Sequence, residues 1–405
     1  MTDETPRNDE VPDPARSAFE LSSRLVVSGR YEEALAATDE AARLFRERIA
    51  GARTGGSDDA PGAAASLAYL LVLRCEALSK LGRWEECLRT ASEAVTLGRG
   101  RQADATFAAP LGATLLGLGT ALWGLGRPQE AVDVTRESVG LYRRLARAHA
   151  SYRPQLANAL SQFGVVLSRL GLHAEALKVT RESVALYRRL GSTDPAGHAV
   201  GLAHAVNNLA RRQSARNQKR RALRSAEEAV TLYRRLAQVN PAVHRRDLAM
   251  GLGNVARTRF SREDSLAATE ESVAILQELD QAEPGVHGAL FADALSLLAA
   301  ALADLGRLRE AAEVTTRALA MMREQAAINP VARRGDLALA LAFHARVRAE
   351  AGIDLAEALA AVTEAVALMR ELAAEIPALY APSLAEVRAL ESRLRTMTPP
   401  PGGDR

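Results

Sequence analysis

Four stretches of this chain are copies of one another: DVTRESVGLYRRL (133–145), KVTRESVALYRRL (178–190), RSAEEAVTLYRRL (224–236) and AATEESVAILQEL (267–279). Weaker copies are EALAATDEAARLF near the N-terminus, RTASEAVTLGRG (89–100), EVTTRALAMMREQ (313–325) and AVTEAVALMREL (361–372). Take as anchor the residue before the small one in each copy. The anchors are then Glu40, Glu93, Glu137, Glu182, Glu228, Glu271, Arg317 and Glu364, and from Glu93 onward they are 43 to 47 residues apart. A fixed period of this length is the mark of an array of supersecondary units.

Proline falls at one place in the later units: Pro195, Pro241, Pro284, Pro330 and Pro377. Proline lacks an amide donor and disfavours helix in the residue before it, so one helix per unit is cut to a set length and the next begins just after. Three residues on stand His198, His244, His287 and Tyr380. Upstream of each anchor a second helical pattern ends in a glycine turn, as in LSKLGRWEECL (78–88) and LSRLGLHAEAL (167–177). Glycine there supplies the left-handed cap of a tight reversal. The small residues Ala34, Cys87, Ala131, Ala176 and Ala311 mark where the two helices cross closely.

This pattern resembles the tetratricopeptide repeat family. The family signature reads here as Leu160, Phe163-Gly164 and Leu167, then Ala176 and Ser183; a second copy is Leu115, Leu118-Gly119 and Leu122, then Ala131 and Ser138. The resemblance runs over about residues 16–395. The period is longer than the usual ~34 residues, as in the long-unit variants of high-GC bacteria. It implies an all-α, right-handed α-solenoid of stacked helix-turn-helix repeats. The expected division is a disordered tail (1–15), a first repeat (16–50), a flexible spacer (51–65), repeats two to eight (66–381), a capping helix (382–396) and a disordered tail (397–405).

Composition narrows function by exclusion. Lys+Arg 52 against Asp+Glu 49 leaves a net charge of +3, which argues against a nucleic-acid binder, and aromatics make up only 4%. The N-terminus shows no basic region followed by an apolar stretch, and the apolar runs are too short to span a bilayer, so a cytoplasmic protein without a membrane segment is expected. GLGNVA (251–256) has the form of a dinucleotide turn but lies within a repeat's first helix, where no strand precedes it. Cys75 and Cys87 take the two small-residue positions of one repeat and are expected to face each other as buried thiols; a disulfide between them stays open. The seven histidines are scattered over the array, without the converging spacing of a zinc site. No nucleophile-and-base pattern stands out, and no catalytic residue, metal or cofactor is expected.

One stretch breaks the local rules. In HAVNNLARRQSARNQKRR (204–221) two asparagines sit inside a helix, and seven basic residues run from Arg211 to Arg224 without an acid. Both features oppose helix formation. Residues spaced i, i+4 and i+7 share a helix face. That stripe reads Asn158, Gln162 and Val165, then His204, Asn208 and Arg211, then Met250, Asn254 and Arg257, with Asn207 slightly rotated from it.

The resemblance implies that first helices line a concave groove. Asn158, Gln162, His204, Asn207, Asn208, Arg211, Asn254 and Arg257 are therefore the candidate peptide-binding residues. Amides both donate to and accept from a peptide backbone, and arginine suits a carboxylate. The expected partner is an extended acidic or polar segment of another protein. RNA binding and a regulatory subunit of a separate effector are the alternatives.

Overall fold

In a computed structural model the structure describes residues 13–55, 60–99, 104–258, 261–328 and 330–397. These residues form seventeen α-helices, and the chain divides at Tyr152/Arg153 into two compact blocks. The first block holds α1 (Pro14–Val27), α2 (Tyr31–Gly55), α3 (Ala60–Lys80), α4 (Trp84–Gly98), α5 (Ala105–Gly124) and α6 (Pro128–Ala148), then a short 3-10 turn (Ala150–Tyr152). The second holds α7 (Arg153–Arg169), α8 (His173–Gly191), α9 (Pro195–Ala215), α10 (Lys219–Val239), α11 (Pro241–Arg257) and α12 (Arg262–Ala282). It continues with α13 (Gly288–Asp304), α14 (Leu308–Ile328), α15 (Pro330–Ala351), α16 (Leu355–Glu375) and α17 (Pro377–Met397). Within each block every helix packs on the next, so the fold is an all-helical, tetratricopeptide-like array.

The prolines open α9, α11, α15 and α17 at the first helical position, where the missing amide would have no helical partner anyway. Pro284 departs from this rule. There the chain turns through Gly285 at φ 79°, and α13 begins only at Gly288. Between paired helices, Gly29, Gly82, Gly126, Gly171 and Gly306 take positive φ. In the α9–α10 turn Asn217 does so instead, at φ 55°; asparagine is the residue after glycine that best tolerates this region. That accounts for the asparagine in ARNQ.

Three expected boundaries move. The spacer expected at 51–65 is largely helix, because α2 runs to Gly55 and α3 starts at Ala60; residues 56–59 lie outside the described set. The N-terminal tail ends sooner than residue 15, since Asp13 caps α1 by accepting from the Ala15 amide. The final helix starts at Pro377 and carries Pro382 inside it, rather than starting at 382. Pro382 stands in the second turn of this helix, past the four amides that have no helical partner, so the helix gives up one of its hydrogen bonds there. The tails at 1–12 and 398–405 lie outside the described residues.

The small residues do what their spacing implies. Ala34, Cys87, Ala131, Ala176 and Ala311 are fully buried. The serine after the anchor has a further role. Ser138, Ser183 and Ser272 donate to the carbonyls of Gly112, Ala157 and Ala249 on the first helix of their own repeat, at 2.7, 2.7 and 2.9 Å. Cys75 and Cys87 are free thiols whose sulfurs approach each other's carbonyl oxygens at 3.7 and 3.5 Å.

The anchor residues themselves join repeats. The arginine six positions after one anchor pairs with the next anchor's glutamate: Arg46 with Glu93, Arg188 with Glu228, Arg234 with Glu271 and Arg323 with Glu364, at 2.6 to 2.9 Å. All are solvent-exposed, so each is worth little. Arg234→Ala is expected to change the unfolding free energy by less than about 1 kcal/mol, and by less still in high salt. Urea titrations at two ionic strengths check this.

Two helices of the first block are long and apolar enough to cross a bilayer by length and composition, at Pro61–Lys80 and Thr106–Gly124. Single polar residues and glycines interrupt their apolar runs, which hid them in the sequence. More than half of each stretch is buried inside the block.

Candidate binding face on the inner helices

In the second block, α7 touches α9, α9 touches α11, α11 touches α13, and α15 touches α17. No comparable contact joins the even-numbered helices among the described residues. The odd row is thus the tighter, inner row. Its charges also meet across it: Arg169 on α7 lies in the field of Arg333 and Asp336 on α15.

The paired asparagines face in two directions. Asn208 donates back to the Ser161 hydroxyl of the preceding repeat at 3.0 Å. Asn207 accepts from the Asn254 amide of the following repeat at 2.6 Å. At the next junction Gly253 stands against the Leu297 side chain, an apolar version of the same rung. Asn207 and Asn254 are 2% and 5% exposed, and their amides bond each other. This corrects the expectation for Asn207, which is buried in inter-repeat packing; half-buried Asn208, and Asn254, which borders a recess, are bonded between repeats as well. A buried amide needs a partner, and the repeat geometry supplies one.

His204 is likewise engaged. Its Nδ1 lies 2.9 Å from the Tyr233 hydroxyl, and its Nε2 lies 3.7 Å from Asp247. His244 approaches the same carboxylate at 3.4 Å. Burial, then the Asp247 charge, push the Tyr233 hydroxyl well above its ordinary range. The cluster ties α9, α10 and α11 together.

The other four candidates are different. Asn158, Gln162, Arg211 and Arg257 are exposed on α7, α9 and α11, and no hydrogen bond or ion pair engages them among the described residues. Arg211 and Arg257 line a recess of about 240 Å³ with Ser168, Arg212, Ser214 and Asn254. Arg211 opens to solvent yet lies in a crowded concavity. That burial, then the charges of Arg257 and Arg169, pull its pKa below the usual arginine value. Asp293 on α13 faces them; burial raises its carboxyl, against the pull of Arg257.

Arg212 was not among the candidates. It is 5% exposed, and its Nε and Nη2 have no hydrogen-bond partner among the described residues. Burial first, then Arg211 and Arg169, bring its pKa down to about 9. A signal was present in the sequence: aligning AVNNLA with ALSQFG sets Arg212 where the preceding repeat has Val166. The basic residues further on, Arg216, Lys219, Arg220, Arg221 and Arg224, are exposed on the turn and on α10.

A family model for the tetratricopeptide repeat matches residues 156–190 and 202–241, which includes the asparagine pair and all three arginines at 211, 212 and 216. Among solved structures, the apo form of RapI is 10% identical and superposes with a TM-score of 0.56, covering 95% of this chain and 98% of that one. A Rap protein complexed with Competence and Sporulation Factor is 11% identical, with a TM-score of 0.50 over 94% of this chain and 99% of that one. BtubC from P. vanneervenii is 18% identical, with a TM-score of 0.46 over 60% of this chain and 92% of that one. No curated protein sequence matches the chain. The class defined by fold and repeat is therefore a tetratricopeptide-like helical repeat protein.

Proposed function

We propose that the chain is a non-catalytic binding module that holds an extended, polar or acidic segment of another protein against α7, α9 and α11. The observation that carries this reading is the row Asn158, Gln162, Arg211 and Arg257, exposed and unengaged on the inner helices. Elsewhere on the same helices, Asn207, Asn208 and Asn254 are bonded within the fold. Amides left open can follow a peptide backbone in both directions, and arginines can grip its carboxylates. A Rap protein of similar fold was solved with Competence and Sporulation Factor, which supports a ligand-holding use of such an array.

Display of random twelve-residue peptides against the purified full chain tests the reading. Selected peptides are expected to lose at least about tenfold in affinity, or about 1.4 kcal/mol, against an Asn158→Ala/Gln162→Ala/Arg257→Gln variant. Equal binding to both proteins would place the site off the inner helices.

A further inference from the structure

The recess at the ends of α7, α9 and α11 is built from donors. Arg211, Arg212 and Arg257 line it together with the hydroxyl-bearing Ser168 and Ser214, and no aspartate or glutamate does. Arg212 is the informative member. A guanidinium that is 95% buried normally meets a carboxylate or a row of carbonyls. This one leaves Nε and Nη2 unpartnered, and the charges that bear on it are those of two further arginines.

One ordinary role for such arginines is to neutralise helix C-termini, since Arg212 and Arg257 lie in the last turns of α9 and α11. The magnitudes do not match. Each helix end carries about half a negative charge, against three guanidinium groups. The next charges outward offset each other, Arg169 and Arg333 against Asp293 and Asp336. With the ends of α7, α9 and α11 all counted, about one and a half positive charges stay unbalanced, and the unpartnered Nε and Nη2 show that carbonyls do not satisfy Arg212. A single carboxylate would leave about a third of that excess. A phosphoryl group carries about −1.5 to −2 at neutral pH and offers three strong acceptor oxygens.

We propose that this recess is a site for a doubly charged phosphoryl group, held by Arg211, Arg212 and Arg257. The group comes either from a phosphorylated side chain in the bound segment, which rests on the groove reading above, or from free phosphate, which does not. In either case Arg212 is buried for its ligand at the expense of the empty fold, because an unpaired buried charge destabilises.

Thermal melts of the full chain with inorganic phosphate, against chloride at equal ionic strength, test the site without any peptide. The melting temperature is expected to rise saturably with phosphate in the wild type. Arg212→Met and Arg257→Gln are each expected to raise the half-saturating phosphate concentration at least tenfold. In chloride alone Arg212→Met is expected to melt no lower than the wild type. No phosphate response in the wild type, or the same response in both variants, overturns the proposal. Should Arg212→Met fail to fold, Arg257→Gln decides alone, since its side chain is exposed.

Twelve-residue peptides with and without phosphoserine then separate the sources. Competition by the phosphoserine peptide at lower concentration than phosphate assigns the site to a bound segment. No gain over phosphate assigns it to the free ion. The display experiment reads the groove independently, so a silent phosphate titration removes the recess and leaves the groove to its own test.

Discussion

Replacing Tyr233 by alanine is expected to lower the unfolding free energy of the full chain by about 3–5 kcal/mol. Tyr233 has no exposed surface, and it belongs to the continuous apolar core that runs from Ala157 to Ala318. Its ring fills the space over Gly251, where a Cβ would sit 3.1 Å from the ring. Helices on both sides are thus shaped around it, and the hole left behind cannot collapse easily. Tyr233→Phe keeps the ring and removes only the bond to His204, so it is expected to lose about 1 kcal/mol. Urea unfolding followed by circular dichroism separates the two. Equal losses would show that the ring's packing is not the source of its stabilisation.

The second large effect concerns the rung between Asn207 and Asn254. Asn207→Ala leaves the Asn254 amide buried without its acceptor and is expected to lose about 1–3 kcal/mol. The next junction shows how a rung is built without polar groups, with Gly253 against Leu297. Adding Asn254→Leu to Asn207→Ala is therefore expected to restore most of the loss. Additive losses in the double variant would mean that the two side chains are not coupled.

These asparagines also show what was legible in the residues and what was not. Helix pairs, turns and crossing points depend on local chemistry: proline at a helix start, glycine at positive φ, a small residue at a contact. They could be read directly, down to the two thiols facing each other. The asparagine stripe could be located but not interpreted. Each amide finds its partner 47 residues away on a neighbouring helix, and helix-face spacing cannot tell such a rung from an open groove. Pro284 misled for a related reason, since a proline near a boundary fits either side of it. Arg212 was hidden by its neighbours. Within a run of seven basic residues it looks solvated, and only alignment with Val166 sets it apart.

The rungs and the anchor pairs share one property: each joins equivalent positions of adjacent repeats. Asn254 occupies in its repeat the place of Asn208, and Glu271 the place of Glu228. A chain lacking residues 207–252 would set Gly253 directly after Val206. Asn254 would then come to Ser161, Glu271 to Arg188, and Gly253 would keep Leu297. The polar contacts therefore act as a common thread pitch, under which a whole repeat can be excised or duplicated without any other residue having to change.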